Sequence, residues 1–257
     1  MDNSSSPLKP INASAVIFDL DGTLLNSIDD IADCANTALS ELGLPTHTVE
    51  EYMRYVGDGF ANLARKILPA THHSAEAIQS YITRYRELYL TMWNHKTKAY
   101  PGIEPMLHAL MQQDLRLAVL SNKRDDFTKR CVDWYFPNIR FEEIRGERTG
   151  TPIKPDPTGA LAIAKSLSVP PGECIFVGDS EIDMETARQA GMHGVGVLWG
   201  FRPRTVLELS GPTLLIANPA ELVEFVRSIS SLRPSLTTQG ALLPAPQLSQ
   251  DQNRREH

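Results

Sequence analysis

Apolar residues fall along this chain in two rhythms. Short unbroken runs, AVIFDL (15–20), RLAVLS (116–121), CIFVGD (174–179) and GVGVLW (194–199), each give way to polar residues, and stretches with helical spacing separate them. A continuous apolar run of this length suits a strand buried on both faces, and its alternation with helices predicts an α/β fold with a Rossmann-like parallel sheet. A further strand is expected over residues 139–144, IRFEEI. Between the first two runs lie almost a hundred residues with amphipathic patterning and no convincing strand. That is too long for one crossover. Residues 28–98 are therefore expected to form an inserted helical cap, with one helix over 28–42, one on each side of Gly57-Asp58-Gly59, and one over 74–93. Residues 13–27 and 99–229 would form the α/β core, preceded by a flexible leader over 1–12. The segment 230–257 is rich in Pro, Ser and Gln and lacks periodicity, so a disordered tail is expected there.

Composition narrows the class without naming a chemistry. The chain has 257 residues, 42% hydrophobic and 22% charged, as in an ordinary globular protein. A net charge of -6 offers no basic face to displace counterions, so nucleic acid is not an expected partner. The first ten residues, MDNSSSPLKP, lack a basic start followed by an apolar stretch, and no run approaches the roughly 18 apolar residues that span a bilayer. No membrane association and a cytoplasmic location are expected. Cys34, Cys131 and Cys174 are odd in number, far apart and set in apolar patterns, which predicts buried reduced thiols. His72, His73 and His95 have no partners at ligand spacing and are assigned no site. Gly194, Gly196 and Gly200 lie in the last apolar run rather than in a strand-to-helix turn, so no nicotinamide cofactor follows. Met53, Met106 and Met111 read as helix packing.

Open parallel sheets bind ligands in the crevice beyond the carboxyl ends of their strands. The run at 15–20 leads into Asp19-Leu20-Asp21-Gly22-Thr23, that at 116–121 into Ser121-Asn122-Lys123, and that at 174–179 into Gly178-Asp179-Ser180-Glu181-Ile182-Asp183. Lys154-Pro155-Asp156-Pro157 follows the strand expected at 139–144. One crevice can therefore collect carboxylates, a hydroxyl and an ammonium. Asp19 and Asp21 would face opposite ways on a continuing strand, but Gly22 permits a turn that aims both inward, where they can take different jobs. Asp179 and Asp183, four apart at a helix start, are expected to share one helix face near its positive end. Such carboxylates repel one another unless a cation is bound, and their hard oxygens favour Mg2+, which keeps waters and leaves room for a phosphate. Each motif alone has an ordinary reading as a turn, a helix cap or a loop lysine. Their order on successive strand ends is what points to one site.

These four motifs in this order resemble the signature of the haloacid dehalogenase superfamily, over about residues 15–202. The resemblance implies phosphoryl transfer through an aspartyl phosphate, with Asp19 as nucleophile and Asp21 as general acid and then base. It implies that Ser121 and the Asn122 backbone hold phosphoryl oxygens, and that Lys154 neutralises both nucleophile and phosphate. Mg2+ would be bound by Asp19, Asp179 and the Asp21 carbonyl, with Asp183 in its outer shell. The founding dehalogenases lack the second carboxylate, so the presence of Asp21 implies a phosphatase. Lys154-Pro155-Asp156-Pro157, Gly196-Val197-Leu198-Trp199-Gly200-Phe201-Arg202 and Tyr55-Val56-Gly57-Asp58-Gly59 are similar to the phosphoglycolate phosphatase group. Asn26 departs from the acidic residue that many relatives carry after the Gly-Thr turn.

The implied substrate is a small phosphorylated metabolite, with 2-phosphoglycolate leading. Pyrophosphatase, nucleotide or sugar-phosphate phosphatase, phosphoglucomutase and a non-catalytic binding module of the same fold are the alternatives. The chain would act as a monomer or homodimer. In relatives the cap loop reads the leaving group, which makes Gly57, Asp58 and Gly59 candidate substrate contacts. A helix starting near Phe60 would offer amides to a substrate carboxylate, and Arg54 is a candidate to pair with it through two hydrogen bonds.

Overall fold

The computed structural model describes residues 12–230. Apart from residues 12 and 230, the expected leader and tail lie outside the described residues. The chain enters as β1 (Ala15–Phe18), turns through β2 (Leu25–Asn26), and then runs through four helices, α1 (Ile28–Glu41), α2 (Val49–Tyr55), α3 (Phe60–Ile67) and α4 (Ala75–Met92). It returns as β3 (Lys98–Ala99) and alternates through α5 (Ile103–Met111), β4 (Arg116–Arg124), α6 (Asp125–Tyr135), β5 (Phe141–Glu147), α7 (Thr158–Ser166) and β6 (Cys174–Gly178). The last elements are α8 (Glu181–Ala190), β7 (His193–Val197), α9 (Arg204–Leu209), β8 (Leu214–Ile216) and α10 (Pro219–Ser230). Among the described residues no helix is long and apolar enough to cross a membrane.

Six strands form one parallel sheet in the order β5-β4-β1-β6-β7-β8. The chain leaves β1 toward β4 and β5, then crosses back to β6, so the connections diverge beside β1. That divergence opens a crevice at the carboxyl ends of β1, β4 and β6. All four residues of β1 are fully buried. Val16 and Phe18 enter the larger core on one face, while Ala15 and Ile17 pack with Ala118, Leu120, Ile163 and Phe176 on the other. This two-sided burial is why β1 is spelled as an unbroken apolar run rather than an alternating one. The sequence pattern does not reveal β8, three residues at the sheet edge, because so short a run carries no periodicity.

A two-residue antiparallel pair, Leu25 with Ala99 and Asn26 with Lys98, brings together the two ends of the helical insertion. Asp30, in the first turn of α1, reinforces this base. Its buried carboxylate accepts hydrogen bonds from the amides of Lys96 (2.9 Å) and Thr97 (2.8 Å) and from the Thr97 hydroxyl (2.6 Å). Within the insertion, α2 opens with a reciprocal capping box between Thr48 and Glu51, and Ser74 caps α4 by accepting from the Ala77 amide. The three cysteines are buried and unpaired, and burial pushes the thiols of Cys131 and Cys174 up to about 11.

Asp30 ties the departing chain to the returning one with buried charge-assisted bonds, beside the more exposed Asp33–Lys96 ion pair (2.6 Å). Asp30→Ala is expected to cost about 2–4 kcal/mol of unfolding free energy, since it orphans the buried amide and hydroxyl of Thr97 and removes the acceptor of the Lys96 amide. Urea denaturation checks this, and a loss below about 0.5 kcal/mol would show that the base is held elsewhere.

Candidate active site

Asp19 follows β1 directly and is buried, and its amide donates to the Val177 carbonyl of the neighbouring strand (2.9 Å), which fixes it at the sheet's edge. Lys154, on the segment after β5, reaches it: the ammonium donates to Asp19 Oδ1 (2.6 Å) and to Asp183 Oδ1 (2.7 Å). Lys154 is held by its own backbone, because the Asn122 side chain accepts from its amide and donates to its carbonyl, both at 2.9 Å. Asp183 Oδ2 in turn accepts from the amide (3.1 Å) and hydroxyl (2.6 Å) of Ser180. Asp179 Oδ2 accepts from the Phe201 amide at 2.7 Å. Asp19 Oδ2 has no hydrogen-bond partner among the described residues.

Glycines make room for this packing. Gly22 has φ +92°, a conformation that L side chains rarely adopt, and a Cβ there would lie 2.3 Å from Asp179 Oδ2. A Cβ on Gly200 would come within 2.2 Å of the Asp179 Cβ. The Gly22 turn also swings Asp21 to the same cavity, where it accepts from Ser27 Oγ (2.6 Å) and from Lys123 Nζ (3.1 Å). Lys123 itself donates to the Tyr89 hydroxyl of α4 at 2.7 Å, so a residue of the insertion touches the partner of Asp21.

Oxygens of Asp19, Asp179 and Asp183 lie within 4.8 Å of one another. This all-carboxylate donor set, buried and short of positive charge, fits a hard divalent cation. Burial, opposed by Lys154 and reinforced by the charge of Asp183, pushes the Asp19 carboxyl up to about 7. Burial with the charges of Asp183 and Asp19 holds Asp179 well above the usual carboxylate range. Burial alone would lower Lys154, but Asp183 and Asp19 outweigh it and keep the ammonium charged.

Residues 16–197 match the model of a family described as haloacid dehalogenase-like hydrolase. The chain belongs to the haloacid dehalogenase-like hydrolase family. Among curated proteins similar to this hydrolase, a phosphoglycolate phosphatase of Aquifex aeolicus (strain VF5) is 32% identical over 211 residues, covering 82% of this chain and 95% of the relative. Another, from Pseudomonas putida (strain KT2440), is 31% identical over 204 residues, covering 78% of this chain and 75% of the relative. Among solved structures, a predicted phosphoglycolate phosphatase from Haemophilus somnus 129PT superposes with a TM-score of 0.78 at 25% identity, covering 83% of this chain and 97% of that one.

In this haloacid dehalogenase-like hydrolase the cavity brings together Asp19, Asp21, Ser121, Asn122, Lys154 and Asp179 from three strand ends and the loop after β5. Asp183 stands behind them, joined through Lys154 and Ser180. The expectation that Asp179 and Asp183 share a helix face is corrected: α8 begins at Glu181, so Asp179 precedes the helix. The two carboxylates meet instead through a capping box, with Ser180 as the cap and Asp183 at the third helical position. Gly57 and Gly59 line the cavity, whereas Arg54 and Asp58 do not. Asp58 turns aside to pair with Lys66 at 2.8 Å. Arg54 is exposed because α2 buries Tyr52, whose hydroxyl donates to Asn36, and two residues further along a helix is about 200° around it.

Sequence reasoning assigned no role to Lys123, Arg86, Arg124 or Arg202, all of which line the cavity. For Lys123 a signal existed, since it follows Ser121-Asn122 at a strand end. Arg202 donates to the Val56 carbonyl (2.8 Å) and pairs with Glu181 (3.0 Å), so it clips the turn after α2 to the core, as Asn122 does by donating to the Gly57 carbonyl (2.9 Å).

The raised Asp19 carboxyl has a consequence for stability. An ordinary value of 3.8 rising to about 7 means that folding takes up a proton between those values, so this group's contribution weakens as pH climbs through that window. Thermal melting of chelator-treated protein should therefore show a lower Tm at pH 8 than at pH 6, and Asp19→Asn should shrink the difference. An unchanged slope in Asp19→Asn would assign the effect to other groups.

Proposed function

We propose that this chain is a Mg2+-dependent phosphatase of small phosphomonoesters that works through an aspartyl phosphate on Asp19, with 2-phosphoglycolate as its leading substrate. The observation that carries the reading is the asymmetry of Asp19: Lys154 holds Oδ1, while Oδ2 has no hydrogen-bond partner in a site whose cavity Asp21 also lines. A group used as a nucleophile needs one oxygen fixed and the other available.

In this reading Oδ2 of Asp19 attacks phosphorus and displaces the alkoxide, which takes its proton from Asp21. Water then attacks the aspartyl phosphate, giving its proton to Asp21 and releasing inorganic phosphate. The contacts of Ser27 and Lys123 hold Asp21 in place for both steps. Ser121 and the Asn122 backbone hold phosphoryl oxygens, and Lys154 offsets charge on the nucleophile. Asp19, Asp179 and the Asp21 carbonyl would hold Mg2+, with Asp183 fixed behind them. Bound there, the cation supplies charge neutralisation for the incoming phosphate. Residues 28–98 act as a cap that excludes bulk water, with Gly57 and Gly59 at the seam. The names of the similar relatives support the glycolate ester over the other substrates.

Phosphate release should require Mg2+ and favour 2-phosphoglycolate over pyrophosphate, nucleoside monophosphates and hexose phosphates. Preference for another ester would keep the chemistry and replace the substrate, while silence across the panel would sink the phosphatase reading. Asp19→Asn should lower kcat by at least about a thousandfold at nearly unchanged volume. Retained multiple turnover in that variant would rule out the aspartyl phosphate.

A further inference from the structure

Five cationic side chains line the cavity, and four of them are engaged. Lys154 is shared by Asp19 and Asp183, Lys123 pairs with Asp21, and Arg202 is taken by Glu181 and by backbone carbonyls. Arg124 pairs with Asp126 and lies over the Phe127 ring, 5.7 Å from its centroid. Arg86, on α4, makes no hydrogen bond or close ion pair among the described residues.

Arg86 is half-buried, and the charge that acts on it most strongly is the like charge of Arg124. Burial and the Arg124 charge hold its guanidinium below the ordinary range, against weaker attraction from Glu147 and Asp126. Glu147 lies opposite Arg124 in the sheet and does not line this cavity. Beside Arg86, Tyr85 is 6% exposed and packs on Phe60 and Tyr89, and its hydroxyl makes no hydrogen bond among the described residues. A guanidinium without a hydrogen bond or close ion pair and a phenol without a hydrogen bond, lining one cavity with a second arginine, make a place for an anion rather than for a neutral group.

We propose that Arg86, supported by Arg124 and the Tyr85 hydroxyl, binds a second anionic group on the leaving alcohol, so that the preferred esters are those whose alcohol carries a carboxylate. The inference rests on the phosphoester reading above and moves carboxylate recognition from Arg54 to α4. Arg86 is a specificity residue: it neither gives nor takes a proton, and it contributes by holding the end of the substrate remote from phosphorus.

The test uses the full chain with Mg2+ and two phosphonates that cannot be hydrolysed, 3-phosphonopropionate and propylphosphonate, which differ in the carboxylate. Calorimetry should give wild-type protein at least about a tenfold preference for the carboxylate-bearing compound, and Arg86→Gln should reduce that preference to within about twofold. Propylphosphonate binding by the variant shows that its phosphonate site is still formed. Wild-type protein without the preference, an Arg86→Gln variant that keeps it, or an Arg54→Gln variant that loses it would overturn the assignment. Phosphate release is measured in parallel, and silence there would remove the phosphatase reading while the phosphonate ratio still decides the role of Arg86.

Discussion

The Lys154 ammonium, placed between Asp19 and Asp183, is the contact on which the rest of the site depends. It joins the loop after β5 to the end of β1 and to the first turn of α8, three elements that share no other buried ionic link among the described residues. Such a bridge is costly, because an ammonium and three carboxylates leave water together. The fold meets that cost with fixed partners: backbone amides of Ser180 and Phe201 for Asp183 and Asp179, and the Asn122 side chain for the Lys154 backbone. One ammonium is not enough for three carboxylates, and Asp19 and Asp179 respond by holding their protons more tightly than free carboxyls do. A divalent cation would supply the charge that favours their ionised forms.

The insertion is held to the core in two unlike ways. At its base, Asp30 gathers two amides and a hydroxyl in a buried setting, beside the short β2–β3 pair. At its tip, the end of α2 and the turn after it are held by hydrogen bonds to backbone carbonyls, from Asn122 to Gly57 and from Arg202 to Val56 and Met53. Bonds to exposed or half-exposed carbonyls exchange readily with water, whereas an orphaned buried carboxylate does not find a substitute. Of the two attachments, the tip is therefore the one that water replaces more easily. The insertion also reaches the site through Tyr89, whose hydroxyl accepts from the Lys123 ammonium that holds Asp21.

Much of this was legible in the sequence, for physical reasons that differ by region. Strands such as β1 and β6 are buried on both faces, which forces a continuous apolar run, and the polar residues that follow mark the crevice without ambiguity. The helices of the insertion show amphipathic spacing and capping residues, so α1 and α4 are found within a residue of the expected bounds. The convergence of Asp179 and Asp183 was read from helical spacing and achieved by a cap, because two geometries can bring the same pair together. No role for Asp30 or Arg202 was legible: an acid in a first helical turn and an arginine in a loop are ordinary, and most of their partners are remote backbone groups that carry no side-chain identity.

Arg86 lines the cavity and Arg54 does not, and this contrast shows where such reading stops. Both arginines sit on helices of the insertion, and both precede or follow aromatic residues, so composition treats them alike. The difference is rotational. On α2 the buried position is Tyr52, which puts residue 54 on the far side of the helix. On α4 the buried positions include Tyr85 and Tyr89, four apart on one face, and the residue after Tyr85 is only about 100° from that face, at its border. A border position is where a long side chain can bury its stem against the aromatic wall and still present its charge to the cavity. Which helix face meets the core depends on how α2 and α4 are seated over the sheet, and that is decided by contacts such as Asn122 to Gly57 and Lys123 to Tyr89, between residues far apart in the chain. The chemistry of the phosphoryl group lies in local motifs at strand ends, whereas the choice of leaving group lies in tertiary seating.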